Sequence, residues 1–79
     1  MIDILEQVRN CVGSAFRVDP AQINEQDSQD TIKDWDSVGQ IQLILELESQ
    51  FGLNFSLDEI VSIRSIGDIV RLIAAKRGV

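Results

Sequence analysis

The stretch Asp36-Ser37-Val38-Gly39-Gln40-Ile41-Gln42-Leu43-Ile44-Leu45-Glu46-Leu47-Glu48-Ser49-Gln50-Phe51-Gly52 decides how the chain is read. Val38, Ile41, Ile44, Leu45, Leu47 and Phe51 recur at helical spacing and predict a helix with a broad apolar face. Asp36 has the short side chain that accepts from first-turn N–H groups, and Gly52 tolerates the left-handed geometry that ends helices. Ser37 therefore falls in the first turn, facing solvent, near unpaired N–H groups and the positive end of the helix dipole. A phosphate ester is favoured there. An Asp-Ser pair that does nothing beyond capping is the plainer alternative.

Upstream, Ile4, Leu5, Val8, Cys11, Val12, Ala15 and Phe16 form one helical stripe. Asp3 and Glu6 in its first turn and Arg17 at its end suit the dipole, and Asp19-Pro20 is expected to stop it. Residues 18 to 36 are polar and predict a long connection, pinned to the core by Ile23, Ile32 and Trp35, with a short turn near Pro20 to Ile23. Downstream, Ser56-Leu57-Asp58-Glu59 reads as a capping box before a short helix. Ser65 then caps a last helix carrying Ile66, Ile69, Val70 and Ile73, with Lys76 and Arg77 at its end. No strand alternation appears, so the expected fold is all-α: a single domain over 1–79, a modestly stable four-helix bundle with a short third helix.

Composition narrows the chemistry. Of 79 residues, 44% are hydrophobic and 25% charged, which excludes a disordered chain. Thirteen acids against seven bases give a formal charge of -6, which argues against nucleic acid or an anionic membrane as partner. With no His, catalytic triads and His-ligated zinc are excluded. One Cys makes no internal disulfide, and Cys11, on the apolar stripe, is expected to be a buried, inert thiol. Acids at the N-terminus are unlike a signal peptide, and no apolar run is long enough to span a membrane. The expectation is a cytoplasmic monomer, not an enzyme.

Trp35-Asp36-Ser37-Val38, followed by the amphipathic run to Phe51, resembles the Asp-Ser-Leu attachment motif of acyl carrier proteins. The resemblance extends over the whole chain, through the acidic charge, the long loop and the short third helix. It implies that Ser37 is esterified by 4'-phosphopantetheine, with Asp36 as motif partner, and that acyl groups ride on the arm as thioesters. It also implies a phosphopantetheinyl transferase, a loading ligase or acyltransferase, and a downstream synthase or transferase as partners.

Asp19 through Glu59 carries ten acids and one base, Lys33, so partners are expected to dock beside Ser37 by salt-weakened attraction. The candidate docking residues are Asp34, Trp35, Val38, Gln42, Glu46 and Glu48. Trp35 either shields the arm or packs against the core. Val38 stands where the family commonly has Leu, and Gln40, Gln42 and Gln50 are neutral where many fatty-acid carriers bear acids. These departures point to a specialised lipid, polyketide or cell-surface pathway. Ser37-Val38-Gly39 and the helix behind it are also similar to D-alanyl carrier proteins, so an aminoacyl cargo is the alternative within the family. An unmodified acidic interaction module is the alternative outside it. Leu43, Ile44, Leu47, Ile60, Ile63 and Ile69 are candidates to line a space for an acyl chain, if the core is not close-packed.

Overall fold

The structure, a computed structural model, describes residues 3–78. It contains four helices, α1 (Ile4–Phe16), α2 (Ser37–Phe51), α3 (Leu57–Ser62) and α4 (Ile66–Arg77), with a 3₁₀ turn at Pro20–Gln22. The described residues contain no strand, only an isolated antiparallel bridge between Ser28 and Ser65. Helix α1 is central and packs against both α2 and α4. Among the described residues, no helix is long and apolar enough to cross a membrane.

Each helix start follows from one short side chain. Asp3 accepts from the Glu6 N–H, Asp36 from Gly39, Ser56 from Glu59 and Ser65 from Asp68. At α3 the capping box is complete, because the Glu59 carboxylate also accepts from the Ser56 N–H at 2.8 Å. Gly52 ends α2 at φ 64°, donating to the Glu48 carbonyl.

The end of α1 falls where the sequence expects it, after Phe16 and ahead of Asp19-Pro20. The helix stops before Asp19-Pro20, with Arg17 itself in left-handed geometry at φ 57° and its N–H bonded to the Gly13 carbonyl. The chain folds back so closely that a Cβ on Gly13 would lie 2.8 Å from both the Val18 carbonyl oxygen and Pro20 Cγ. Arg17 is thus the cap residue, at the helix end as expected, and is exposed.

The long connection is ordered by its own polar side chains. Asp27 accepts from the Asn24 N–H and the Thr31 hydroxyl, which in turn accepts from the Ser28 N–H. The loop also satisfies the first turn of α4, whose Ile66 and Gly67 N–H groups donate to the Asp27 and Glu25 carbonyls. Ile23, Ile32 and Trp35 are buried at intervals along it, as their apolar character predicts.

Helix α2 is where the apolar pattern misleads. Leu43, Ile44 and Leu47 enter the core, but Val38, Ile41 and Leu45 are 67%, 61% and 61% exposed. The expected broad face is two stripes: steps of three and four from Gly39 and Gln40 reach Leu43, Ile44 and Leu47, while Val38, Ile41 and Leu45 form the opposite stripe. Helix α3 contributes no buried residue of its own. It is tied down by an ion pair between Glu59 and Lys76 of α4, at 2.8 Å, and by neighbours Phe55 and Ile63, which are buried.

Candidate functional site

Ser37 is the first residue of α2 and is exposed. The Asp36 carboxylate takes the Gly39 N–H at 2.8 Å and the Asp36 carbonyl takes that of Gln40. Among the described residues, no partner bonds the Ser37 hydroxyl or the Ser37 and Val38 N–H groups. An exposed nucleophilic oxygen at the positive end of a fifteen-residue helix, with donors free beside it, fits an esterified phosphate.

The approach to that turn is rigid. The Asp34 carbonyl lies directly on Gly39, where a Cβ would stand 2.1 Å from its oxygen and 2.9 Å from Phe16 Cε1. Only glycine fits, so the loop reaches α2 at a set angle.

Two depressions flank Ser37. One, about 410 Å³ in volume and open to solvent, lies between α2 and α3 and is lined by Ser37, Gln40, Ile41, Leu57, Ile60 and Val61, with Arg64 also on its wall. Leu57 and Val61 are 74% and 64% exposed. On the other side, Arg17, Asp34, Asp36, Val38 and Gln42 share a more polar hollow.

The docking candidates separate once placed. Val38, Gln42 and Asp34 are exposed around Ser37. Trp35 is not available to a partner: it is 1% exposed, stacked on Phe16 at 6.1 Å between ring centroids, with its indole N–H donated to the Gln40 amide oxygen. Of its two expected roles, packing is the one the structure shows. Glu48 is half-buried and its carboxylate accepts from the Phe55 N–H at 2.9 Å, which holds the connection between α2 and α3. Glu46 is half-buried towards α1, sharing a hollow with Gln7, Asn10 and Cys11.

Charges of both signs stand around Ser37. Arg17 shares one flanking hollow with Asp34 and Asp36, and Arg64 lines the other. Arg64, in the connection between α3 and α4, lies outside the acidic stretch from Asp19 to Glu59 in sequence but lines the hollow beside Ser37.

Gln40 was missed by sequence reading, which counted it as a neutral surface residue. It is 9% exposed. Its amide oxygen accepts from Trp35, and its amide nitrogen donates to the Ile60 carbonyl at 2.9 Å. Its spacing from Leu43, Ile44 and Leu47 was the available signal. Cys11 behaves as expected: burial, reinforced by the Glu46 charge, pushes its thiol up to about 11, so at neutral pH it is protonated.

The phosphopantetheine attachment site family model matches residues 6–73. The chain is 30% identical over 76 residues to the acyl carrier protein of Lactobacillus acidophilus, covering 96% of this chain and 95% of that one. It is 32% identical over 76 residues to the acyl carrier protein of Caulobacter vibrioides, covering 96% and 97%. The fold superposes on the acyl carrier protein of Enterococcus faecalis with a TM-score of 0.72 at 26% identity, covering 91% of each chain. The chain therefore belongs to the phosphopantetheine-attachment family as an acyl carrier protein, which bears its cargo on a covalent 4'-phosphopantetheine and is not itself a catalyst.

Proposed function

We propose that Ser37 bears the 4'-phosphopantetheine arm and that Asp36 sets the turn presenting it. The observation that carries this is an exposed, unpartnered hydroxyl at the N-terminus of α2, with free N–H groups beside it and an open apolar hollow adjoining it. The terminal thiol of the arm supplies the thioester, which Cys11, buried and protonated, does not.

The partners are a phosphopantetheinyl transferase, a ligase or acyltransferase that loads the thiol, and a synthase or transferase that unloads it. Each must reach Ser37, and the exposed Val38, Ile41 and Leu45 of α2 with Leu57 and Val61 of α3 form the surface around it. That surface is aliphatic and amide-bearing, with Gln42 in place of a charge. Asp34 lies at its edge; Glu48 is engaged by the Phe55 N–H and Glu46 faces the hollow beside α1. Such a face suits enzymes that dock by apolar contact, which supports a specialised lipid, polyketide or cell-surface pathway. Gly39, one of the residues shared with D-alanyl carriers, is required by its contact with Asp34 and by itself carries no information on cargo.

Intact mass after incubation with coenzyme A and a broad-specificity phosphopantetheinyl transferase tests the assignment. One phosphopantetheinyl group should be gained by the native chain and none by Ser37→Ala. Equal gain by both would move the site elsewhere, and no gain by either, with a competent control carrier, would favour an unmodified interaction module.

A further inference from the structure

Arg64 stands on the wall of the hollow that Ser37 opens onto, and its side chain is exposed. Among the described residues, no carboxylate pairs with its guanidinium. The two acids nearest to it in sequence, Asp68 and Glu59, pair instead with Arg71 and Lys76. Only the main chain of Arg64 is engaged, its N–H donating to Asp68 Oδ2 at 3.0 Å.

The two hollows beside Ser37 differ in charge. Among the described residues, no carboxylate lines the one between α2 and α3, and Arg64 is the single charged residue on it. The other holds Asp34 and Asp36 together with Arg17. A phosphodiester is anionic at neutral pH, so on Ser37 it meets a lone cation towards α3 and two carboxylates on the opposite side. The planar fork of Arg matches two phosphate oxygens at once. Beyond its phosphate, phosphopantetheine continues into a branched aliphatic segment with two methyl groups. Leu57 and Val61, 74% and 64% exposed, offer aliphatic surface on the same hollow as Arg64.

We propose that Arg64 is a positioning residue whose guanidinium pairs with the phosphodiester on Ser37 and turns the arm across the hollow between α2 and α3. The inference rests on the reading of Ser37 as the attachment site. A pair this exposed biases the direction of the arm without locking it, so a partner enzyme can still draw the arm out.

The test uses the full chain, loaded from coenzyme A by a phosphopantetheinyl transferase, as wild type, Arg64→Gln, Arg64→Lys and Arg17→Asn. Asn tolerates the left-handed geometry at position 17, where φ is 57°. Intact mass comes first: equal loading of Ser37→Ala, or no loading of the wild type, sinks the Ser37 reading and this one with it. Thermal melts then establish that each loaded variant is folded.

NMR reads the Nε–H resonances of Arg64 and Arg17 before and after loading, and the NOEs from the methyl groups of the arm to those of Leu57 and Val61. Loading should shift the Arg64 Nε–H and leave that of Arg17 in place. The NOEs should weaken about two- to fivefold in Arg64→Gln, the range of one exposed ion pair. They should recover in part in Arg64→Lys, which restores the charge without the fork, and stay unchanged in Arg17→Asn. Raising the wild type to about 1 M salt should weaken them as Arg64→Gln does. The proposal is overturned by a loaded wild type without these NOEs, by NOEs that survive intact in folded Arg64→Gln, or by an Arg17 resonance that moves in place of that of Arg64.

Discussion

The carbonyl oxygen of Asp34 occupies the space where a side chain on Gly39 would begin, 2.1 Å from the ideal Cβ position. This contact joins the end of the long connection to the first turn of α2, two residues beyond Ser37. Both neighbours are constrained, since the oxygen belongs to backbone and Phe16 lies 2.9 Å from the same point. Gly39→Ala should therefore destabilise the fold by about 3 kcal/mol, at the upper end of overpacking costs. For a domain of this size that lowers Tm by roughly 12–24 °C in a thermal melt.

The apolar surface around Ser37 predicts how partners respond to salt. Leu45→Ala removes an exposed side chain and should change stability by less than about 0.5 kcal/mol. Its effect belongs to docking: the KM for a phosphopantetheinyl transferase that contacts α2 should rise about fivefold, the loss of one apolar anchor. Because Arg17 and Arg64 stand beside Ser37 along with Asp34 and Asp36, kcat/KM should fall less than about threefold between roughly 50 and 500 mM salt. A steep fall would return the docking surface to the acids.

Cys11 predicts an alkaline limit. Its folded thiol is raised from 9.0 to about 11, so its contribution to stability is complete below 9 and is lost as pH rises towards 11, where the unfolded chain releases its proton first. Cys11→Ala should lower stability at neutral pH through the small cavity it leaves, yet flatten the decline between pH 9 and 11 in denaturant titrations. Alkylation by iodoacetamide at pH 7.5 should proceed only as fast as the fold opens.

Acid acts at the other end of the molecule. Asp68 is held below the usual carboxylate range first by the Arg64 N–H, then by Arg71, and Glu59 is held low by Lys76 and the Ser56 N–H. Depressed carboxylates contribute stability above their unfolded values and lose it as pH falls through the folded ones. The stretch from α3 into α4 should thus loosen first below about pH 4. Asp68→Asn should show a shallower loss of Tm between pH 5 and 3 than the wild type.

How far the chain could be read from its sequence depends on the range of each interaction. The caps at Asp36, Ser56 and Ser65, the stop at Gly52, the anchors Ile23, Ile32 and Trp35, and the exposed serine were all legible. Capping bonds connect residues three apart, and apolar anchors announce themselves by composition. The end of α1 at Phe16 was legible too; what was not legible was the left-handed geometry of Arg17 there, with Val18 and Pro20 folded back onto Gly13.

Tertiary structure alone decided which stripe of α2 turns inward. Val38, Ile41 and Leu45 are as apolar as Leu43, Ile44 and Leu47, and only the positions of α1 and the loop select between them. The same choice buries Gln40, whose polarity marked it for the surface until Trp35 and Ile60, five and twenty residues away, supplied its partners. Charge was legible as a sum of -6 but not as a field, since Arg17 and Arg64 reach opposite sides of Ser37 only in the folded chain. The local order of the helices is written in neighbouring residues. Burial, hydrogen-bond partnership and potential depend on residues far apart in sequence, and these were settled only when the helices packed.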